Sequence, residues 1–243
     1  MKKSKKKVVV ITGGGRGIGQ EIANEFLKKN YLVYTLDKKF SQSKNLVNYK
    51  KIKADMTKFN QIKKILKKIS LSKGCIDVLI NCAGITQSLK KNNLLDYWET
   101  TIKNNLTSAF MASMYALPYL KKSKYPSIIN ITSITAKLGM SNNPAYNVSK
   151  AGLQNLSYSL AMDFRKHKIR VNNICPGYIK TKMTKKSFNN KRAFSERVNR
   201  MMLNTYGLPK DIAKAAIFLA SENSNYINAT DVVVDGGFLH KGI

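Results

Sequence analysis

Acidic residues, histidine and cysteine are scarce in this chain of 243 residues. It has 13 Asp and Glu against 43 Lys and Arg, and only two histidines, His167 and His240. The three cysteines, Cys75, Cys82 and Cys175, are widely spaced and lack the companion histidines of a zinc site. We therefore expect no metal, and we expect reduced, structural thiols in a cytoplasmic protein.

Long hydrophobic runs are also missing. The longest apolar runs, such as Val8–Ile11 and Ala109–Met114, are too short to cross a bilayer, and too few apolar residues follow the opening MKKSKKK for a signal peptide. We expect no membrane association and a flexible basic tail over residues 1–6. No Pro- or Ser-rich linker divides the chain, which favours a single domain over residues 1–243.

The formal net charge of +30, with a pI of about 10.1, raises the question of nucleic-acid binding. Lysine pairs recur along the whole chain, however, and no helix-turn-helix, zinc finger or aromatic-rich RNA motif is present. Charge spread in this way is typical of solvated faces. We expect no specific nucleic-acid partner.

The first forty residues predict a strand, a glycine turn and a helix. Lys7–Thr12 is a β-branched run, and the segment Thr12–Gly19 reads T-G-G-G-R-G-I-G. The strict G-x-G-x-x-G spacing is absent, but T-G-x-x-x-G-x-G serves the same purpose, because glycines let backbone N–H groups approach a pyrophosphate at a helix N-terminus. The candidate binding residues are Gly13, Gly15, Arg16, Gly17, Ile18 and Gly19.

Strand and helix patterns alternate through the rest of the chain. Helical spacing of apolar residues is found from Phe59 to Ile69, over Leu95–Leu120, from Tyr146 to about His167 and over Asp211–Ala220, whereas Thr184–Tyr206 has no clear pattern. The later candidate strands are Tyr31–Leu36, Lys51–Ala54, Ile76–Ile80, Ser127–Ile131, Arg170–Cys175 and Val232–Val234. This order predicts an α/β, Rossmann-like, doubly wound parallel sheet with helices on both faces.

Ligands of such sheets bind at the carboxyl ends of the strands. The residues that follow predicted strand ends, and should converge there, are Gly13–Gly19, Asp37, Asp55, Asn81–Gly84, Ser133 and Pro176–Thr181.

Asp37 ends the second predicted strand, about 20 residues after the glycine cluster, where an acid that binds the adenosine ribose is expected. Its carboxylate would repel a 2′-phosphate, which favours NAD(H) over NADP(H). Arg16, Lys38 and Lys39 argue in the other direction, since basic residues near that ribose can pair with the phosphate.

Tyr146 and Lys150 stand four residues apart, so they share one face if the segment is helical. Asn143-Pro144 predicts a helix start, with asparagine as the N-cap. The helix N-terminus and the lysine charge would then lower the pKa of the tyrosine from about 10 towards neutrality. A half-buried tyrosine beside a solvated lysine is the alternative for any isolated pair of this kind.

Seven motifs in one order resemble the short-chain dehydrogenase/reductase family. They are the T-G-x-x-x-G-x-G turn, Asp55, N-x-A-G at Asn81, N-L at Asn105-Leu106, Ser133, Y-x-x-x-K at Tyr146, and P-G-x-x-x-T from Pro176 to Thr181. The seven-residue step from Trp98 identifies Asn105, not Asn104, as the family asparagine. One departure is Cys82, where the family often has a second asparagine.

The resemblance implies roles for these residues. Tyr146 would be the general acid/base, Lys150 would lower its pKa and hold the nicotinamide ribose, and Ser133 would bind the substrate oxygen. Asn105 would support a water relay to solvent, and Ile179 with Thr181 would position the carboxamide. The implied cofactor-binding set is Gly13, Gly15, Arg16, Gly17, Ile18, Gly19, Asp37, Asp55, Met56, Asn81, Ala83, Gly84, Tyr146, Lys150, Pro176, Gly177, Ile179 and Thr181.

The implied activity is hydride transfer between NAD(P) and a carbonyl or secondary alcohol. Ala83-Gly84-Ile85-Thr86 resembles 3-oxoacyl-acyl carrier protein reductases, and a basic surface could attract an acidic carrier protein. Sugar, polyol and hydroxy-acid dehydrogenases of the family look almost the same, and the substrate loop around Lys185–Asn204 has no decisive residue. A non-catalytic dinucleotide-binding protein is the alternative of a different class, which loss of Tyr146 or Lys150 would have favoured.

The resemblance also implies a homotetramer built on the helices Leu95–Leu120 and Tyr146–His167. The small residues Ala151, Gly152 and Ser157 would permit close helix approach.

Overall fold

A computed structural model describes residues 6–40, 47–87, 89, 92–184 and 191–241. Apart from Lys6, the predicted basic tail lies outside these residues. So does the beginning of the predicted substrate loop, residues 185–190.

The described residues form a seven-stranded sheet in the order β3-β2-β1-β4-β5-β6-β7, with every neighbouring pair parallel. The strands are β1 Val8–Thr12, β2 Leu32–Asp37, β3 Tyr49–Lys53, β4 Val78–Asn81, β5 Ser127–Ile131, β6 Arg170–Pro176 and β7 Asp231–Val234. The order reverses between β1 and β4, where a doubly wound sheet binds its ligand. The predicted fold class is confirmed.

Helices cover both faces of this sheet. They are α1 Gly17–Lys28, α2 Phe59–Lys73, α3 Leu94–Ile102, α4 Ser108–Leu120, α5 Pro144–Asp163, α6 Lys191–Asn199 and α7 Pro209–Ala220. One apolar core packs α2, α4 and α5 against the sheet, and a second packs α1 and α7 against the opposite face. Because both faces are covered, the central strands are apolar on both sides.

Two strands begin two residues from their predicted starts, and the other strand boundaries agree with the predictions within one residue. The third strand begins at Tyr49, whose side chain is buried and which pairs with Val33, not at Lys51. The fourth begins at Val78, because the N–H of Ile76 donates to the carbonyl of Tyr119 at the end of α4. In both cases a partner distant in the sequence sets the boundary.

The predicted helix Leu95–Leu120 is not continuous. A π-helical turn, Lys103–Thr107, separates α3 from α4 and contains Asn105. The helix predicted to reach His167 ends at Asp163, and a 3₁₀ turn, Arg165–His167, follows it.

One row of the sheet is polar across five strands. Residues that are register partners on β1, β4, β5, β6 and β7 are Thr12, Asn81, Asn130, Asn173 and Asp231. Asn81 Nδ2 donates to Asn130 Oδ1 at 2.8 Å, and Asn130 Nδ2 donates to Ser157 Oγ at 2.7 Å. These bonds offset the cost of burying amides within the sheet.

A search of the described residues for a helix long and apolar enough to span a membrane finds none.

Candidate active site

The glycine turn after β1 packs directly on the loop after β4. A Cβ atom added to Gly13, whose φ is 69°, would lie 2.7 Å from the backbone of Ala83. The hydroxyl of Thr12 accepts from the N–H groups of Cys82 and Ala83, both at 3.2 Å. The predicted cofactor-binding residues Gly13 and Ala83 therefore lie close together. Thr12 holds the loop after β4 in place, although it is absent from the predicted set.

Helix α1 starts at Gly17, at the end of this turn. Its first turn carries no acidic side chain, so no carboxylate of its own competes for the positive end of the helix dipole. Gly19 is buried, and a Cβ added there would lie 2.3 Å from the carbonyl oxygen of Gly13. Only glycine therefore fits at this position. This arrangement of close backbone and helix N-terminus fits a pyrophosphate.

Asp37, at the end of β2, holds the glycine turn from the other side. Its Oδ2 accepts from the N–H of Gly15 at 2.9 Å and its Oδ1 from the N–H of Lys39 at 3.1 Å. A Cβ on Gly15 would lie 2.9 Å from the same carboxylate. The predicted proximity of Gly15 and Asp37 is present, and Lys39 contributes its backbone rather than its exposed side chain.

Asp55, after β3, forms an ion pair with Lys38 at 3.1 Å. Its Oδ1 accepts from the N–H and the hydroxyl of Thr57, at 2.9 and 2.7 Å. Burial alone would raise the pKa of Asp55, but the hydrogen bonds from Thr57 and the Lys38 charge outweigh it and hold the pKa below its ordinary value. Met56 beside it is buried. Asp37, Lys38 and Asp55 are called the charged wall below.

Ser133, Tyr146, Lys150 and Asn105 lie together beside the ends of β4 and β5 and are called the buried wall. The Ser133 hydroxyl interacts with the Tyr146 phenol and lowers its pKa. The Lys150 side chain is 5% exposed, its Nζ donates to the carbonyl of Ile131 at 2.8 Å, and it lies 5.8 Å from the centre of the Tyr146 ring. The structure therefore brings together the four residues that the sequence predicted for catalysis, and their roles stay a prediction.

The predicted direction of the Tyr146 pKa is wrong in this structure. Burial raises the pKa of Tyr146, and the interaction with Ser133 opposes this only in part. Burial also lowers the pKa of Lys150, from 10.5 to about 8. Desolvation is therefore the largest influence on the pKa of the phenol. The Lys150 ammonium donates its hydrogen bond to the Ile131 carbonyl.

The side chain of Asn105 is held by backbone across the π-helical turn. Its Oδ1 accepts from the N–H of Ile85 at 2.7 Å, and its Nδ2 donates to the Ile85 carbonyl at 2.9 Å and to Ser149 Oγ at 3.0 Å. A Cβ on Gly84 would lie 3.3 Å from Asn105 Oδ1 and 3.6 Å from Lys150 Nζ. Because the oxygen and the nitrogen of the Asn105 side chain are both already hydrogen-bonded, a water relay at Asn105 would need its main-chain carbonyl.

Helix α5 starts at Pro144 as predicted, but Asn143 does not cap it with its side chain. The Asn143 amide accepts from the hydroxyl of Tyr97 at 3.1 Å and donates to Thr86 Oγ1 at 2.6 Å. The Tyr97 hydroxyl in turn accepts from the N–H of Ala145 at 3.3 Å. Tyr97 thus takes the capping position, and nothing local in the sequence indicates it.

The segment after β6 borders the cleft at the carboxyl ends of the strands, where ligands of such sheets bind. Gly177 packs against Asp235, where an added Cβ would lie 2.7 Å from the Asp235 Cα. Thr181 Cγ2 lies 3.8 Å from the position that a Cβ on Gly17 would take, and Ile179 is buried. The predicted Pro176–Thr181 segment therefore faces the glycine turn.

An apolar cluster borders this segment and includes part of the region that the sequence left unassigned. Its buried members are Ile134, Met201, Tyr206 and Phe238, and its partly buried members are Leu138, Met140, Tyr178, Val198 and Leu239. We call it the apolar cluster. Arg197 and Arg200 lie over the rings of Tyr178 and Phe238, at 5.3 and 4.9 Å.

Cys82, the one departure from the resemblance, forms no disulfide, and neither do Cys75 and Cys175. Burial raises the pKa of Cys82 to about 12, so the thiol stays protonated. No group of metal-binding side chains occurs among the described residues.

A glycine turn at a helix N-terminus, an acid at the end of β2 and a buried tyrosine–lysine pair define a dinucleotide-dependent oxidoreductase of the α/β class. Residues 13–239 match the family model described as Enoyl-(Acyl carrier protein) reductase. With the relatives below, this match shows that the chain belongs to the short-chain dehydrogenase/reductase family.

Known proteins resemble the chain over nearly its whole length. The 3-oxoacyl-[acyl-carrier-protein] reductase of Chlamydia pneumoniae is 34% identical, covering 96% of this chain and 97% of the relative. The aldohexose dehydrogenase of Thermoplasma acidophilum is 31% identical with a TM-score of 0.90, covering 98% and 96%. A structure titled ElxO with NADP bound is 31% identical with a TM-score of 0.88, covering 96% and 99%.

The protein is therefore an NAD(P)-dependent oxidoreductase that acts on CH–OH groups. The non-catalytic alternative is not supported, because Tyr146 and Lys150 are both present in the buried wall.

Proposed function

We propose that this enzyme reduces the 3-oxo group of an acyl thioester to a 3-hydroxy group. The observation that carries the proposal is the partly buried edge of the apolar cluster, Leu138, Met140 and Tyr178, on the segments that follow Ser133 and β6; such side chains suit an acyl chain better than a polyhydroxy substrate. The net charge of +30 supports a substrate presented by an acidic carrier protein. The relative from Chlamydia pneumoniae, a 3-oxoacyl-[acyl-carrier-protein] reductase, points the same way.

Oxidation of a sugar is the second candidate. It is favoured by the similarity to the aldohexose dehydrogenase of Thermoplasma acidophilum, at a TM-score of 0.90. A sugar needs several hydrogen-bond partners for its hydroxyls. The partly buried side chains of the apolar cluster, such as Leu138, Met140 and Val198, offer few of them.

In the proposed reduction Tyr146 is the general acid. Its phenol gives a proton to the carbonyl oxygen while a hydride, which carries two electrons, adds to the carbonyl carbon, so that C=O becomes CH–OH. The bound nicotinamide supplies that hydride. Ser133 donates a hydrogen bond to the same oxygen, and Tyr146 regains its proton from solvent. In the oxidative direction the same groups act in reverse.

Lys150 serves this step by its charge. With a pKa of about 8, it carries a proton in most molecules at pH 7. A cation near the phenol stabilises the phenolate that forms during proton transfer, and the effect is strong because the site is buried. Lys150 would also hold the nicotinamide ribose.

For the cofactor we favour NAD(H). The Asp37 carboxylate lies at the end of β2 beside the glycine turn, where a 2′-phosphate would meet its charge. Lys38 is paired with Asp55, which leaves it less suited to neutralise that phosphate. Arg16, which is exposed, and the similarity to the NADP-bound ElxO structure support NADP(H) instead. The remaining candidate cofactor residues keep their predicted roles in this proposal.

We also propose a homotetramer. Helices α3, α4 and α5 expose large apolar side chains that the chain itself does not cover, namely Leu94, Leu95, Trp98, Phe110, Met114, Val148 and Met162. Two of the small residues have packing partners within the chain. Gly152 packs against Leu106 within the chain, and Ser157 is fully buried in the polar row of the sheet. Light scattering that gave a monomer mass at micromolar concentration would contradict the assembly.

A cytoplasmic location is proposed because the three cysteines form no disulfide, whereas oxidising compartments favour disulfides.

The substrate class is tested with a panel of 3-oxoacyl thioesters, aldohexoses and hydroxy acids, each assayed with both nicotinamide cofactors. We expect the highest kcat/KM for a 3-oxoacyl thioester and an increase when the acyl chain is lengthened. The matched control is the acyl thioester that lacks the 3-oxo group, which must not oxidise NADH. Faster turnover of an aldohexose than of every thioester would contradict the proposal.

A further inference from the structure

The carboxylate of Asp231, at the start of the edge strand β7, accepts hydrogen bonds from four side chains. Its side chain is 10% exposed. Lys137 Nζ donates to it at 2.7 Å, the Tyr158 hydroxyl at 2.6 Å and Asn173 Nδ2 at 2.8 Å, and Gln154 Nε2 also donates to it. None of these five residues is among the candidate site residues predicted from the sequence.

Two of the donors lie on the helix face that carries the reacting pair. Tyr146, Lys150, Gln154 and Tyr158 follow one another at intervals of four residues along α5, so they form one stripe. From Tyr146 to Gln154 the helix rises about 12 Å. The same stripe therefore has its reacting groups at the N-terminal end and its bonds to Asp231 two and three turns later.

A third donor belongs to the turn that carries Ser133. Ser133 Oγ accepts from the N–H of Thr135 at 3.2 Å, and its carbonyl accepts from the N–H of Ala136 at 3.0 Å. The N–H of Lys137 donates to the carbonyl of Ile134 at 3.0 Å. These bonds make Ser133–Lys137 a single tight turn, so the position of Lys137 affects the direction of the Ser133 hydroxyl.

The contact between Lys137 and Asp231 differs from an ordinary surface ion pair. Exposed pairs contribute little, because water and salt screen them. Here the carboxylate is largely buried, and its remaining donors come from α5 and from the neighbouring strand β6. Burial alone would raise the pKa of Asp231, but the bonds from Lys137, Tyr158 and Asn173 outweigh it and keep the pKa low, so the group is charged at neutral pH.

We propose that Asp231 is a positioning residue, which holds the Ser133 turn through Lys137 and helix α5 through Gln154 and Tyr158, and so sets the position of the Ser133 hydroxyl relative to Tyr146. This inference rests on the proposed function, in which both hydroxyls meet the substrate oxygen. Displacement of a reacting group by about 1 Å can lower a rate by about 10²-fold, so a lost anchor should reduce turnover.

The first test is Lys137→Met, which removes the link to the Ser133 turn and leaves Asp231 its other donors. We expect kcat on the best substrate of the panel to fall roughly tenfold or more, with an unchanged dissociation constant for the reduced cofactor. Lys137→Arg restores the ion pair and should recover most of the loss. Asp231→Asn, which weakens the links to both elements, should lower kcat further if the variant folds.

The matched control is Lys7→Met. It breaks the Lys7–Glu222 ion pair, whose lysine is 37% exposed against 33% for Lys137, at the other end of the sheet. We expect its kcat to equal that of the native enzyme. Equal losses in the two variants, or an unchanged kcat in Lys137→Met with only a lower Tm, would overturn the positioning role.

Hydrogen exchange separates this inference from the proposed function, because it needs no substrate. Lys137→Met should accelerate exchange of the Ala136 and Lys137 amides at least several-fold, whereas Lys7→Met should not. Unchanged exchange in Lys137→Met overturns the inference whatever the substrate is. Accelerated exchange in a protein whose native form reduces no carbonyl of the panel would support the anchor and reject the proposed reaction.

Discussion

The buried wall and the charged wall of the cleft use the same kinds of residue in opposite environments. Lys150 is 5% exposed and donates to a backbone carbonyl, whereas the side chain of Lys38 is 56% exposed and pairs with an aspartate. Electrostatic effects are large where water is excluded and are screened where it is not. In the proposed function, the buried wall therefore carries the chemistry and the charged wall carries the choice of cofactor.

The largest effect is expected for Lys150→Met. The variant removes the charge beside Tyr146 and a group proposed to hold the nicotinamide ribose, so both kcat and cofactor affinity should fall. We expect kcat/KM to decrease by roughly 10³-fold or more. Steady-state kinetics and cofactor fluorescence titration measure the two parts. Loss of kcat with native cofactor affinity would contradict the dual role.

The same variant tests the pKa of Lys150 without a substrate. The folded-state pKa is about 8 and the ordinary value is 10.5, so between these values the unfolded chain binds the extra proton and the free energy of unfolding rises with pH. From pH 7.5 to 9.5 the native protein should gain roughly 2 kcal/mol relative to Lys150→Met. Urea unfolding at both pH values measures it, and parallel curves would show that Lys150 titrates normally.

A smaller effect is expected at the charged wall for Asp37→Ala. Loss of a charged hydrogen-bond acceptor and of repulsion towards a 2′-phosphate should shift the kcat/KM ratio of NADH to NADPH by roughly 10–100-fold towards NADPH. Asp163→Ala, which removes an exposed carboxylate at the far end of α5, is the control and should leave the ratio unchanged. A native preference for NADPH would show that the basic residues decide the choice.

The smallest effect is expected for Lys38→Met. The ion pair with Asp55 is exposed, and such pairs contribute about 0–1 kcal/mol. The KM for NADH should change by less than about fivefold, and the change should shrink at high salt. A large change that persists in salt would mean that Lys38 contacts the cofactor directly.

Local pattern was sufficient for the sheet and for the members of the site. The run Lys7–Thr12 and its glycines predict β1, the turn and α1 because strand, turn and helix are adjacent in the sequence. Family motifs predicted Ser133, Tyr146 and Lys150, and the structure brings them together. Such residues can be found from the sequence because their order along the chain identifies them.

Features that depend on distant contacts could not be predicted. The π-helical turn at Asn105 contains an amide held by Ile85, 20 residues away, and the cap of α5 comes from Tyr97, 48 residues from Ala145. The raised pKa of Tyr146 has the same origin, since burial is set by the whole fold and not by the neighbouring lysine. The sequence therefore predicts which residues form the candidate site but not their environment.

The central claim is that Tyr146 donates the proton as hydride moves from the nicotinamide to a carbonyl carbon. The direct test uses NADH deuterated at C4 with native protein and Tyr146→Phe. We predict transfer of deuterium to the carbinol carbon by the native protein, and transfer slower by roughly 10²–10⁴-fold in Tyr146→Phe, which still binds NADH with native affinity. Transfer at the native rate in Tyr146→Phe would contradict the assigned mechanism.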